Sequence, residues 1–216
     1  EGTPNVVLEA LSCGRRVVIS PLLLSVVCDG IKDFAAVSPV ANVEVMMVAH
    51  PSVPAKNVRE LIALAKKRPG ELAAGSGGVG TTNHLALELF ATSAGIHLTH
   101  VPYKGAGPAG TDLISGNITM LFTSVVHVQQ LSRARTVRPL AVTSLERLSA
   151  LPDLPTMHES GLPRYEMGSW YGVLTAKGTP RPVVEYLNRE FRAVLNLPDI
   201  NQRLKADSVE LKMSTP

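Results

Sequence analysis

Leu72-Ala73-Ala74-Gly75-Ser76-Gly77-Gly78-Val79-Gly80-Thr81-Thr82-Asn83-His84-Leu85-Ala86-Leu87-Glu88-Leu89-Phe90 reads as a short apolar strand, a glycine-rich turn and the start of a helix. Leu85, Ala86, Leu89 and Phe90 recur at helical spacing, and Gly95 is placed to stop the run. The same strand, loop and helix alternation continues on both sides. Upstream, residues 43–49 predict a strand, and Asn57-Val58-Arg59-Glu60 has the form of a capping box. Val58, Leu61, Ile62 and Ala65 line one face of the helix it opens, and Pro69-Gly70 ends it. Downstream, strands are predicted at 98–101, 118–122 and 138–142, with helices at 109–115 and 124–133 between them. Such alternation builds an α/β fold with mostly parallel sheets covered on both faces.

Residues 145–164 carry three prolines and a Thr156 to Glu159 capping box, and read as a connection between lobes. Beyond them, 166–174 predicts a strand, 183–195 an amphipathic helix opened by Pro180 and Pro182, 199–205 a further helix, and 209–212 a last extended piece.

Composition narrows the function classes. The chain has 216 residues, 45% of them hydrophobic, 18% charged and 4% aromatic, which suits a globular protein of one large domain or two small lobes. Lys and Arg number 21 against 18 Asp and Glu, a net charge of +3, and the single basic run is Lys66-Lys67-Arg68 at a helix end. Neither that charge nor the few aromatics suits a nucleic-acid surface, so nucleic acid is not expected as a partner. No stretch approaches the roughly 20 apolar residues that cross a bilayer, so no membrane insertion is expected. Cys13 and Cys28 lack metal-ligand spacing and read as packing residues. The six histidines show no metal-binding pair, so no metal is expected. Glu1-Gly2-Thr3-Pro4 shows no signal-peptide pattern and reads as the start of a processed product, a fragment or a fusion.

The glycine loop is the most informative motif. Backbone amides at the start of a helix are unpaired and the helix dipole is positive there, so an anion is stabilised. Gly75, Gly77 and Gly80 also spell the dinucleotide fingerprint, but that motif needs a carboxylate about 20 residues on for the ribose, and His100-Val101-Pro102-Tyr103-Lys104 supplies none. Ser76, Asp112 and His127 fall in the order of a hydrolase triad, without the first glycine of the nucleophile elbow. A glycine-rich stretch can equally be no more than a tight turn. His84 falls in the first helical turn, where it can reach whatever the loop holds, whereas His97 and His100 read as strand residues. In an open α/β sheet the loops at the carboxyl ends of the strands converge. Tyr103, Lys104 and Gly105 and then Thr123 and Ser124 are therefore expected beside Ser76, Gly77, Gly80 and Thr81, forming a donor-rich site for a small organic anion.

At these residues the sequence resembles a known family. Lys32-Asp33-Phe34, Pro51-Ser52-Val53-Pro54-Ala55, the glycine loop with His84, His100-Val101-Pro102-Tyr103-Lys104-Gly105, Leu140-Ala141-Val142-Thr143-Ser144, Leu151-Pro152-Asp153-Leu154-Pro155-Thr156 and Ser169-Trp170-Tyr171-Gly172 look like the Bug family. These are periplasmic substrate-binding proteins associated with tripartite tricarboxylate transporters. The resemblance covers residues 29–216. It implies a two-lobed periplasmic-binding-protein-like fold that clamps a small organic carboxylate without catalysis or cofactor, in the periplasm, and delivers it to membrane transporter subunits. It places ligand contacts at Ser76, Gly77, Gly80, Thr81, His84, Tyr103, Lys104, Gly105, Thr123 and Ser124, with Trp170 near the hinge. Many members carry Asp or Asn where this chain has Thr123 and Ser124, so ligand preference does not transfer. The ligand-binding second lobe is expected at 50–165, with 29–49 and 166–216 forming a partial first lobe and the hinge crossings.

Residues 1–28 read as a foreign or fused segment, which would remove the first lobe's ligand loop and weaken binding. Within them, residues 1–20 resemble the nucleotide-sugar-binding segment of retaining glycosyltransferases, whose paired acids would here be Glu1 and Glu9. A glycosyltransferase fragment and a nucleotide-dependent α/β enzyme therefore stand as the alternatives to a solute-binding protein.

Overall fold

The computed structural model describes residues 32–132, 137–206 and 209–215. The readings that fall on Glu1, Glu9, Cys13 and Cys28 lie outside the described residues. The chain divides into two compact units, one comprising Val43–Ser169 and the other Glu1–Asn42 with Trp170–Pro216.

In the Val43–Ser169 unit the order along the chain is the second half of β1 (Phe34–Ala49), α1 (Val58–Lys67), β2 (Ala73–Ser76), α2 (Thr82–Ala94), β3 (Thr99–Pro102), α3 (Ala106–Ile114), β4 (Met120–Ser124), α4 (Val125–Ser132) and β5 (Arg138–Val142). The strands lie in the order β3-β2-β4-β1-β5. β2 pairs in parallel with β3 and β4, whereas β1 runs antiparallel to β4 and β5. The sheet is thus mixed, and the carboxyl ends of β2, β3 and β4 share one edge.

Both faces of this sheet are covered, which explains the unbroken apolar run Val45-Met46-Met47-Val48-Ala49, since successive side chains on a strand point to opposite faces. Val45, Met47 and Ala49 join Met120 and Phe122 in one core with Leu61 of α1 and Leu87 and Phe90 of α2. Met46, Val48 and Leu121 join the other core with Leu113 of α3 and Val128 of α4.

Helix starts follow their capping residues. The Asn57 side chain accepts the Glu60 N–H at 2.9 Å, and the Glu60 carboxylate accepts the Lys56 N–H at 2.7 Å. The Thr156 to Glu159 box is formed too, with both reciprocal bonds at 3.0 Å, although the chain there continues only as turns. Arg138 at the start of β5 holds the loop between β1 and α1, donating to the carbonyls of Pro51, Val53 and Ala55 at 3.1, 3.1 and 2.8 Å. Charge-assisted bonds of this kind contribute about 1.5–3 kcal/mol each and do not simply add. Arg138→Met is therefore expected to lower the unfolding free energy by about 2–3 kcal/mol, read as a fall in the thermal midpoint; an unchanged midpoint would show that water replaces the guanidinium without loss.

In the other unit, the first half of β1 is joined by β6 (Gly168–Ala176) and β7 (Val209–Leu211). α5 (Arg181–Leu195) buries Val184 and Leu187 against Val37 and Val173. Asn188 on the same face donates to the carbonyls of Val37 and Ser214 at 2.7 and 2.8 Å, which ties the end of the described chain to β1. α6 (Pro198–Ala206) follows α5. Among the described residues no helix is long and apolar enough to cross a membrane.

Candidate functional site

β2 ends at Ser76, and the chain turns through Gly77 to Gly80 into α2, whose N-cap is Thr81. The turn is held from within. The Gly78 carbonyl accepts from the Ser76 hydroxyl at 3.2 Å, from the Thr81 hydroxyl at 2.8 Å and from the Thr81 N–H at 3.3 Å. The Thr81 hydroxyl in turn accepts the His84 N–H at 3.3 Å. Gly78 adopts φ +134°, and a Cβ there would stand 3.2 Å from the Tyr103 carbonyl, so both the backbone conformation and the space require glycine.

Two imidazoles close over this turn. His84 Nδ1 accepts the Gly80 N–H at 3.1 Å, and the His84 ring stacks on His100 with centroids 4.2 Å apart. His100 Nε2 lies 2.7 Å from Ser76 Oγ. Ser76 is completely buried, and its hydroxyl also accepts the Gly78 N–H, so its hydrogen-bonding capacity is spent on the loop and on His100. The hydroxyls of Ser76 and Thr81 thus shape the loop's backbone.

The loop after β3 packs directly on the glycine loop. Tyr103 N–H donates to the Ser76 carbonyl at 3.1 Å, and Gly105 N–H donates to the Gly77 carbonyl at 3.0 Å. Gly105 is the N-cap of α3, at φ +112° and with no side-chain cap. The Ala106 nitrogen, the first of that helix, lies 3.6 Å from where a Cβ on Gly77 would be, and the Asn83 carboxamide nitrogen lies 3.7 Å from the same point. Two helix N-termini therefore meet at Gly77. Lys104 is exposed beside them, with no ion-pair partner among the described residues. The Tyr103 ring turns away, its hydroxyl donating to Asp112 at 2.7 Å. Burial and that bond push the Tyr103 hydroxyl up to about 12, while bonds from Tyr103 and Asn117 hold the Asp112 carboxyl below its usual range.

Ser76, Gly77, Gly80, Thr81, His84, Tyr103, Lys104 and Gly105 are brought together on these two adjoining loops. Thr123 and Ser124 end β4 at the same edge of the sheet but serve α4: Thr123 Oγ1 lies 3.0 Å from His127 Nδ1, and the Ser124 hydroxyl accepts the His127 N–H. Trp170 lies on β6 in the other unit, half exposed. Asn83 was not singled out by the sequence; its signal was a polar residue in the first turn after the glycine loop. His100, read as a strand residue, is one, and also supplies the partner of Ser76.

The triad of Ser76, Asp112 and His127 is not assembled. Asp112 bonds to Tyr103 and Asn117, and His127 to Thr123. Among the described residues no group of three or more His, Cys, Asp and Glu side chains could hold a metal ion.

Burial lowers the affinity of both His100 and His127 for a proton. A histidine whose folded value lies below its unfolded value stabilises the fold fully above about pH 6.5, and that contribution is lost as pH falls toward the folded value. The thermal midpoint is therefore expected to decline between pH 7 and 5, with a shallower decline in His127→Asn; a flat profile in this window would contradict the burial of these rings.

Residues 13–215 match the model of the family described as "Tripartite tricarboxylate transporter family receptor". That match begins ahead of Asp29, where the sequence resemblance was placed, and takes in part of the stretch compared with glycosyltransferases, a reading the comparisons do not support. A Pseudomonas sp. (strain P51) protein, "UPF0065 protein in tcbD-tcbE intergenic region", is 39% identical over 186 residues, covering 86% of this chain and 55% of the relative. The chain spans about half the length of such curated relatives. Among solved structures, "R. palustris Rpa4515 with adipate" superposes with a TM-score of 0.90 at 32% identity, covering 98% of this chain and 75% of the other. MatC from Rhodopseudomonas palustris with bound malate gives a TM-score of 0.77 at 27% identity, covering 83% and 61%. The fold is therefore that of a periplasmic binding protein, and the chain belongs to the tripartite tricarboxylate transporter receptor family.

Proposed function

We propose that this chain is a solute-binding receptor that holds a small organic carboxylate and releases it unchanged. The meeting of two helix N-termini at Gly77 carries the reading. The first-turn amides of α3 have no side-chain cap, Gly105 and Gly77 are tied together by a backbone bond, and Lys104 adds positive charge beside them. An anion is favoured where amide N–H groups and the positive ends of helix dipoles converge. Hydroxyls are not required as direct ligands, because Ser76 and Thr81 already hold the loop in shape. The two solved relatives named with adipate and malate support a carboxylate as the ligand class.

Family membership supports binding without chemistry, and the surroundings of Ser76 agree with it. Ser76 has a histidine partner, but it is completely buried and its hydroxyl is engaged by Gly78 and by His100 of β3, so it offers no nucleophile to a substrate. The receptor acts in the periplasm and delivers its ligand to membrane subunits of a tripartite transporter, a reading that membership of the receptor family supports.

A thermal-shift screen separates this reading from a nucleotide-dependent enzyme. A ligand that binds only the native state stabilises it by about 2.7 kcal/mol at a hundredfold excess over Kd. Adipate, malate and other small carboxylates are expected to raise the midpoint, while dinucleotides and sugar nucleotides leave it in place; the reverse pattern would overturn the proposal.

A further inference from the structure

We infer that His84 is a protonation-sensitive latch on the glycine loop, holding Gly80 only while its imidazole is neutral. The Gly80 N–H donates to His84 Nδ1 at 3.1 Å, so that nitrogen carries a lone pair and the ring proton sits on Nε2. Nε2 faces the Glu88 carboxylate one helical turn on, at 3.6 Å. A proton added to the neutral ring must go to Nδ1. Donor would then face donor at the Gly80 contact, and the bond is lost.

His100 makes the change local and discrete. Its ring stacks on His84 at 4.2 Å with 25° between the planes, so the two imidazoles cannot both carry charge without strong repulsion. His100 Nε2 is engaged by the buried Ser76 hydroxyl at 2.7 Å, and burial lowers its affinity for a proton, so of the two stacked rings His84 is the one to take it. His84 is therefore the side that lets go. The ionisable groups facing it are Glu88 from its own helix, which favours its charged form, and His100 from β3, which opposes it; no other ionisable side chain pairs with either ring among the described residues.

The consequence for a bound carboxylate rests on the proposed function, because Gly80 leads into α2 at the loop. The latch itself is read without any ligand, so its test and the carboxylate screen fail independently. Nitrogen-15 NMR of the unliganded chain from pH 7.5 to 5 reads it directly. At pH 7.5 the imidazole correlations of His84 are expected to show the Nε2–H form. The Gly80 amide proton is expected to lose its hydrogen-bonded downfield shift along the His84 titration curve. In His84→Asn, whose side-chain oxygen can replace Nδ1 as acceptor without titrating, the Gly80 amide is expected to hold its position across the range. An Nδ1–H form at pH 7.5, or a Gly80 amide that does not follow His84 in the unmutated chain, would overturn the inference, as would a Gly80 amide that follows the same curve in His84→Asn.

Discussion

Phe122→Ala is expected to lower the unfolding free energy of the Val43–Ser169 unit by about 3–5 kcal/mol. Phe122 is completely buried on β4, with its ring tilted at 52° to Phe90 of α2 and centroids 5.9 Å apart. It sits in the core shared by α1, α2 and one face of the sheet, under the helix that begins at the glycine loop. Truncation removes apolar area and leaves a cavity that a sheet paired on both sides cannot collapse to fill. Urea titration followed by circular dichroism reads the loss. A change below about 1 kcal/mol would mean that the two aromatic rings do not pack as described.

Gly78→Val is expected to reduce carboxylate affinity at least about tenfold, equivalent to 1.4 kcal/mol or more. The native φ of +134° strains any side chain, and a branched one would press on the Tyr103 carbonyl at a Cβ distance of 3.2 Å. The same carbonyl–amide turn positions Gly77 and Gly105, where the two helix N-termini meet, so the damage falls on the proposed anion contacts. Calorimetric titration of the variant, with far-UV circular dichroism to confirm that it folds, checks this. Unchanged affinity in a folded variant would show that the loop's shape does not set the site.

Sequence reading served well wherever a local signal decided the structure. Asn57 and Glu60 cap α1, and Gly95 ends α2 in a left-handed conformation, as short-range chemistry dictates. It fell short where partners are distant. The strand expected at 43–49 begins at Phe34, because β6 and β7, far along the chain, pair with its first half. Its antiparallel entry between β4 and β5 carries no sequence signal either, since a strand buried on both faces is apolar throughout in either direction.

The candidate site shows the same division. Glycines between a strand and a helix announced the tight turn into α2, and the carboxyl-edge rule brought Tyr103, Lys104 and Gly105 beside it. What individual side chains do was not legible. Ser76 and Thr81 look like available hydroxyls in the sequence, yet each is consumed by a carbonyl two or three residues away and, for Ser76, by His100 from the neighbouring strand. Tyr103 is likewise claimed by Asp112, one helix further on. A polar side chain in a glycine loop has two possible employers, the ligand and the loop, and only geometry tells them apart.

On the proposed reading a carboxylate is held where α2 and α3 begin. An amide-resolved NMR titration of the chain with adipate or malate tests it most directly. Saturable shifts are predicted at Gly77, Lys104, Gly105 and Ala106, diminishing along α2 and α3 and absent from α5. No saturable shift with any small carboxylate, or shifts that saturate elsewhere while these four amides stay still, would contradict it.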